Sequence, residues 1–458
     1  MIKISDISSI SKAANIEALK AKFFAGCSID SRMVKKDELF IAIKGESTDG
    51  HKFLKDVFKR NVKAALVNKS WYDKNKSLYK DKTFFVVKDT VSALGELARI
   101  HKYNYSVPVL CVGGSNGKTT TKDLISHVLS KKYSVLKNEG NFNNHIGLPL
   151  TLLKLNKNHS IAVLEAGSNH FNEIAYLCRI AEPHFGLVTN IGKEHLEFFK
   201  NLAGVAKEEF GLYEYLNSNL GECFINLDDE FSQRFRKKNK GTYFSYSLNN
   251  KSDVTGKFEK FDSDFKPVLE IKYGSTIFKV KINSFGKHSI FNGLAAAAVG
   301  LYFGLTVEEI QKSLSTFKAE SSKRMEVSEI NGLKVVNDAY NSNPDSVKLG
   351  LETMKEYKTK GEKFIVLGDM LEMGKTSKDE HYNIGKMVRS FGFRYLFTHG
   401  ADSYMTFKGA GNIPNNFHFE DKKELAALLK AIVKKGDVIY IKGSRGMKME
   451  EIITELKN

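Results

Sequence analysis

The sequence predicts an α/β protein of three domains, and three observations carry that expectation. At 458 residues the chain is longer than one hydrophobic core can serve. Short apolar runs alternate with amphipathic stretches of helical period through most of its length, the pattern of mostly parallel sheets covered by helices. A Gly-rich turn also stands between an apolar run and a helical stretch in the middle of the chain.

Taken in order, the first block spans residues 1–105 and ends with a strand at 84–87 and an amphipathic helix at 90–103. The second, residues 106–317, opens with a strand at 107–112, the Gly-rich turn and a helix at 118–130. Apolar strands follow at 161–165, 184–190 and 223–226, then short strands within 240–285 and an Ala-rich helix at 292–304. This describes a central domain with a mostly parallel sheet. The third block, residues 318–458, repeats the alternation with strands at 333–338, 363–367, 395–398 and 438–441, a second open, Rossmann-like α/β sheet. No internal repeat of fixed period interrupts the series.

Composition narrows the class. Hydrophobic residues make up 42% and charged residues 27%, which fits a folded globular protein and not a disordered one. The formal charge of +17 is spread over scattered lysines with no basic arm or aromatic-interleaved stripe, so an anionic small substrate is expected, and no nucleic acid. The four cysteines lie far apart with no C-x-x-C pair, which argues against a zinc site or a disulfide framework and for buried small hydrophobes. The N-terminus lacks a charged start followed by an apolar run, and no stretch of about 18 apolar residues occurs. A cytoplasmic monomer without membrane insertion is the expectation.

The turn reads Gly113-Gly114-Ser115-Asn116-Gly117-Lys118-Thr119-Thr120. In a strand–turn–helix context such a loop binds nucleotide phosphates: glycines let backbone N–H groups approach oxygens and the helix N-terminus adds positive potential. Lys118 is expected to neutralise the terminal phosphates and the hydroxyl of Thr119 or Thr120 to ligate Mg²⁺, which names Gly114, Asn116, Gly117, Lys118, Thr119 and Thr120 as the nucleotide-binding set. Glu165 ends a strand where a carboxylate could reach the same metal, and His195 follows another strand in Asn190-Ile191-Gly192-Lys193-Glu194-His195. Alone, Glu165 also reads as a strand-end charge and His195 as a structural histidine.

The loop departs from G-x-x-x-x-G-K-[ST] because Val112 takes the place of the first glycine. In this it resembles the Mur ligase superfamily, as do the run from Asn138 to Leu150, the run from Glu165 to Ile174, and Asn190-Ile191-Gly192 followed by His195-Leu196-Glu197. The resemblance implies that Glu165 and His195 hold a second Mg²⁺ between ATP and the substrate carboxylate, that Asn292 contacts adenine and that Asn141 meets substrate. Asn292 alone also reads as a helix N-terminal residue satisfying backbone. The family usually has a carbamylated lysine near the metals where this chain has Glu209. Glu209 is therefore expected to supply the carboxylate, through a shift or a water. The alternatives are a modified Lys207 and a Glu209 that is only an exposed helix charge.

Both flanking blocks extend the resemblance. Ser28-Ile29-Asp30-Ser31-Arg32 and Lys44-Gly45-Glu46 resemble the family's uridine-nucleotide domain, which implies substrate contacts for Ser31, Arg32 and Gly45; by themselves these are ordinary turn residues. Ser321-Ser322-Lys323-Arg324, Asp338-Ala339-Tyr340-Asn341-Ser342-Asn343-Pro344, Gly368 to Gly374 and Lys442 to Lys448 match the dipeptide-adding branch, with no D-N-P-R motif of the diaminopimelate- or lysine-adding branch. The implied roles are Arg324 at the ATP γ-phosphate, Asp338 at the nucleotide, and Tyr340, Asn341 and Asn343 at the dipeptide. The implied reaction joins D-alanyl-D-alanine to a UDP-N-acetylmuramoyl-tripeptide of peptidoglycan precursor synthesis, with ATP and Mg²⁺ and through an acyl phosphate. A sibling ligase adding one amino acid, a P-loop kinase or ATPase, and a non-catalytic nucleotide-binding partner are the competing readings.

Overall fold

In the computed structural model, which describes residues 1–45, 48–319 and 323–457, three sheets follow one another along the chain. Glu46, Ser321 and Ser322, part of the runs quoted above, lie outside the described residues. The N-terminal sheet runs Lys12–Ala14, Thr83–Val87, Ala64–Asn68, Leu39–Ile41, Cys27–Ser28, parallel except for the first pairing. A two-stranded antiparallel ribbon, Ile2–Lys3 with Phe23–Phe24, stands beside it.

Helix Thr90–Tyr103 forms where the period predicts it, and Asp89 caps it by accepting from the Ser92 N–H at 2.8 Å. Its apolar stripe, Leu94, Leu97 and Ala98, is fully buried and shares a core with Ile174 and Leu177 of helix Glu173–Ala181 in the central domain. Gly95 permits the approach, since a Cβ there would lie 2.7 Å from the Tyr176 hydroxyl.

The central sheet has nine strands, with Val109–Gly113 between Ile161–Glu165 and Phe185–Val188, parallel to both. Every residue of Val109–Gly113 and Ile161–Glu165 is buried, which accounts for unbroken apolar runs where an exposed sheet would show alternation. After Val109–Gly113 the chain builds Val135–Lys137 and Ile161–Glu165 on one side, then crosses to Phe185–Val188 on the other. That crossing is the switch point at which open α/β sheets bind ligands. The short strands expected within 240–285 extend the same sheet as Thr242–Ser247, Val254–Phe261, Pro267–Tyr273 and Thr276–Lys281, the last two added antiparallel. The Ala-rich helix starts earlier than its apolar run suggested, at His288, because polar residues fill its first turn.

The C-terminal sheet orders Glu326–Ile330, Leu333–Asp338, Val438–Lys442, Lys363–Gly368, Tyr395–His399 and Asn415–Phe419, parallel after the first pair. Its register sets Asp338 opposite Lys442 at the C-terminal ends of adjacent strands. Among the described residues no helix is long and apolar enough to cross a membrane.

Candidate active site

The loop after Val109–Gly113 is held in place by backbone approach. Gly114 has φ 108° and Gly117 φ 83°; a Cβ on the first would lie 2.3 Å from Thr189 Oγ1, and on the second 2.6 Å from Asn292 Oδ1. The loop leaving Phe185–Val188 supports it from one side: Ser115 N–H donates to the Asn190 carbonyl at 2.8 Å, Gly192 N–H to Ser115 Oγ at 2.8 Å, and Thr189 Oγ1 to the Asn116 carbonyl at 2.7 Å. Helix Lys118–Leu129 then begins, and its first N–H groups, which lack intrahelical partners, can receive an anion with the positive end of the dipole behind them.

A cavity of about 310 Å³ opens here, lined by Asn116, Gly117, Lys118, Thr119 and Thr120 on the central domain and by Arg324, Asp338, Tyr340, Asn341 and Asn343 on the C-terminal domain. Glu165, His195 and Asn292 line it too, so all but a few of the residues singled out in the sequence meet in one place. Lys118 donates to the Gly114 carbonyl and to Glu194 Oε2, the latter at 3.1 Å. Burial opposes the charge of Lys118, yet Glu194, Glu209 and Glu165 outweigh it and hold the ammonium above its ordinary range.

Glu165 is 2% exposed: Oε1 accepts from Asn143 Nδ2 at 2.7 Å, while Oε2 is buried with no hydrogen-bond partner. Such an orphaned carboxylate oxygen, in the cavity that Thr119 also lines, fits a cation that keeps several waters and takes other oxygens from phosphates, as Mg²⁺ does. Among the described residues no group of three His, Cys, Asp or Glu could hold a metal ion by itself. Asn292 accepts from Thr121 Oγ1 at 3.1 Å and abuts Gly117.

Across the cavity, the Arg324 guanidinium lies 3.7 Å over the Tyr340 ring with its buried Nε unpartnered. Asp338 accepts from Lys442 Nζ at 2.7 Å and Tyr440 Oη at 3.1 Å. Asn343 caps helix Pro344–Glu356 by accepting from Ser346 N–H at 2.8 Å, and donates to Asn116 Oδ1 at 2.9 Å, tying that cap to the phosphate loop. Asp345 accepts from Lys193 N–H at 2.7 Å. His288, also at the cavity, is held down to about 4 by burial and is therefore neutral.

Six expected residues stand apart, Gly114 among them: it is outside the cavity lining and its N–H donates to Glu209. Ser31, Arg32 and Gly45 belong to the N-terminal domain and do not line the cavity; Arg32 is exposed and pairs with Asp30 at 2.7 Å. Asn141 is exposed and outside the lining, while Asn143 and Asn144 face it, because the turn after Asn138 brings the later asparagines inward. Glu209 corrects one expectation. It is no exposed helix charge, being fully buried; it is outside the cavity lining, beneath the loop, where one oxygen accepts from Gly114 N–H, the other is buried without a hydrogen-bond partner, and a Cβ on Gly113 would come within 2.7 Å. Burial, opposed by Lys118 and reinforced by Glu194, pushes its carboxyl up to about 7. Lys207 is exposed beside the Phe171 ring and does not take its place.

Residues that the sequence reading passed over are Glu194, Asn143, Lys442 and Glu372. Each sat inside a run already noticed, but only folding shows that Glu194 meets Lys118, Asn143 meets Glu165, Lys442 meets Asp338 and Glu372 meets His195.

Comparison with known proteins agrees with this arrangement. Family models match three successive segments: Mur ligase family, catalytic domain at residues 24–102; Mur ligase middle domain at 112–300; and Mur ligase, glutamate ligase domain at 323–445. The curated UDP-N-acetylmuramoyl-tripeptide--D-alanyl-D-alanine ligase of Bacillus subtilis (strain 168) is 35% identical over 438 residues, covering 94% of this chain and 93% of that protein. A crystal structure of MurF from Acinetobacter baumannii superposes with a TM-score of 0.89 at 25% identity over 100% of this chain and 98% of that one. MurF ligase from Thermotoga maritima in complex with ADP gives 0.82 at 26% identity, covering 94% and 97%. With three family domains matched in succession and a relative matched nearly end to end, the chain belongs to the Mur ligase family.

Proposed function

We propose that this chain is the ATP- and Mg²⁺-dependent ligase that joins D-alanyl-D-alanine to a UDP-N-acetylmuramoyl-tripeptide, yielding the UDP-linked pentapeptide. One observation supports this reading above the others: a phosphate loop on the central domain and the Arg324–Tyr340–Asn343 surface of the C-terminal domain face a single cavity, so ATP and an incoming dipeptide can be held together. The relatives named for this reaction favour it over a single-amino-acid ligase, a kinase or a non-catalytic partner. The domains are taken as residues 1–105, 106–317 and 318–458, and the setting as the cytoplasm.

Making an amide from a carboxylate and an amine in water requires activation. The terminal carboxylate oxygen of the tripeptide attacks the γ-phosphorus, the bond to the β–γ bridging oxygen breaks, and ADP departs. The dipeptide amine, after losing a proton, attacks the acyl carbon, the carbon–oxygen bond to phosphate breaks, and inorganic phosphate leaves. Asn116, Gly117, Thr119 and Thr120 cradle the triphosphate, with Gly114 shaping the turn that presents them, while Lys118 and Arg324 spread the charge of the phosphoryl group in transit. Asn292 and Asp338 hold the nucleoside end; Tyr340, Asn341 and Asn343 orient the dipeptide; Ser31, Arg32 and Gly45 receive the uridine diphosphate on the N-terminal domain. Glu165, His195 and Thr119 would hold Mg²⁺, which when bound neutralises phosphate and carboxylate charge. Glu209 sets the loop from below through Gly114. Docking of the C-terminal domain keeps water from the acyl phosphate.

The test is phosphate release with ATP, Mg²⁺ and UDP-tripeptide, comparing D-alanyl-D-alanine with single amino acids, each product weighed by mass spectrometry. Release with the dipeptide, together with a product heavier by one dipeptide residue mass, is expected. Equal or faster turnover with a single amino acid would reject the assignment.

A further inference from the structure

His195 and Glu372 come from different domains and meet at the cavity edge. His195 precedes the short helix Leu196–Phe199 of the central domain, and Glu372 lies in the loop after Lys363–Gly368 of the C-terminal domain. Both adopt positive φ, 47° and 62°, a conformation that L residues with side chains avoid. Such strain persists only where the surroundings over-determine it. Here the two loops brace each other: Glu197 N–H donates to the Glu372 carbonyl at 3.0 Å, and Gly374, φ 55°, packs so close that a Cβ would sit 3.1 Å from Glu197 Cα. The Glu372 carboxylate is hydrogen-bonded to His195 Nδ1. His195 itself lines the cavity with Lys118, Thr119 and Glu165.

A carboxylate bound at Nδ1 selects the tautomer with the proton there, which leaves Nε2 as the nitrogen carrying a lone pair. Metal-binding histidines are commonly fixed in this way by a carboxylate behind them. We infer that Glu372 is a positioning residue for His195: it keeps the imidazole in the Nδ1–H form with Nε2 available to a divalent cation, and it can do so only while the C-terminal domain is docked. The inference rests on the reading of the cavity as a Mg²⁺–nucleotide site. It would make metal affinity a reporter of domain closure, since one domain supplies the ligand and the other supplies the group that orients it.

Two measurements on the full chain test it. In ¹⁵N-histidine-labelled protein at pH 8, with His195 assigned by its loss in His195→Gln, long-range ¹H–¹⁵N spectra are expected to show the Nδ1–H tautomer. Glu372→Ala is expected to move His195 toward Nε2–H. Mn²⁺ binding in the presence of ADP, followed by electron paramagnetic resonance, is expected to weaken about 10- to 100-fold in Glu372→Ala and less in Glu372→Gln, which keeps an acceptor oxygen. Glu380→Gln, which breaks the 2.6 Å Lys193–Glu380 pair across the same junction, is expected to leave Mn²⁺ affinity within about twofold. An unchanged tautomer or unchanged affinity in Glu372→Ala, or an equal loss in Glu380→Gln, overturns the inference. Failure of the unaltered protein to bind Mn²⁺ with ADP would instead reject the metal site itself, and the inference with it.

Discussion

The two junctions that join the three domains are built from different materials. Between the first and central domains, Leu94, Leu97 and Ala98 are fully buried in one core with Ile174 and Leu177. Between the central and C-terminal domains, an aromatic group occupies one end, with Phe265 and Phe285 at 5.4 and 5.7 Å from Tyr357. The end at the cavity is polar: Asn343 to Asn116 at 2.9 Å, Lys193 N–H to Asp345 at 2.7 Å, Lys193 to Glu380 at 2.6 Å. Apolar surface has no substitute partner in water, so the first junction behaves as a continuous body. The second junction also buries apolar side chains, with Leu196, Phe199 and Val205 sharing a core with Met370 and Met373, and adds polar contacts that exchange for water at small net cost. The residues lining the cavity are divided across this second junction.

The largest effect that probes this contrast is Leu97→Ala. Emptying a fully buried leucine at the first junction is expected to cost about 2–5 kcal/mol, read by urea denaturation; a loss under about 1 kcal/mol would mean that this junction is not part of the core. A smaller and different effect is expected from Asn343→Ala at the second junction. Losing the cap should cost about 1 kcal/mol of stability, while loss of the Asn116 bond lowers kcat/KM for ATP about tenfold. Stability loss with unchanged kinetics would show that the cross-domain bond plays no part in closure.

A further effect, dependent on pH, concerns the loop's support. Because Glu209 titrates near 7 in the fold against an ordinary value of 4.5, the folded chain keeps a proton that the unfolded chain has released between those values. Its contribution is therefore complete below about 4.5 and lost as pH rises through about 7. Glu209→Gln preserves an acceptor for Gly114 N–H and removes the titration. Its stability relative to the parent should rise from pH 4.5 to 8, measured by chemical denaturation at stepped pH. Parallel profiles would place the Glu209 titration elsewhere.

Local pattern made much of this molecule legible. Helix Thr90–Tyr103 and the strands Ile161–Glu165 and Leu333–Asp338 stand where period and apolar runs put them, and the phosphate loop follows from strand, glycines and helix in sequence. Ile2–Lys3, Phe23–Phe24 and Cys27–Ser28 escaped, since two-residue strands carry no period and exist only through their partners. At the site, Glu165 was readable as a carboxylate ending a strand at the sheet's switch point. Glu372 was not, because its meaning depends on a histidine 177 positions away in another domain. Glu209 shows the same limit from the other side: residue type suggested a ligand, but the helix face that carries it turns beneath the loop.

The most direct test of the account pairs the unaltered chain with Lys118→Ala and counts ADP and UDP-pentapeptide from the same reaction. One ADP per pentapeptide is expected from the unaltered chain, and a fall of at least about 100-fold in both from the variant. ADP formed without pentapeptide, or a Lys118→Ala chain that ligates at the parental rate, would contradict it.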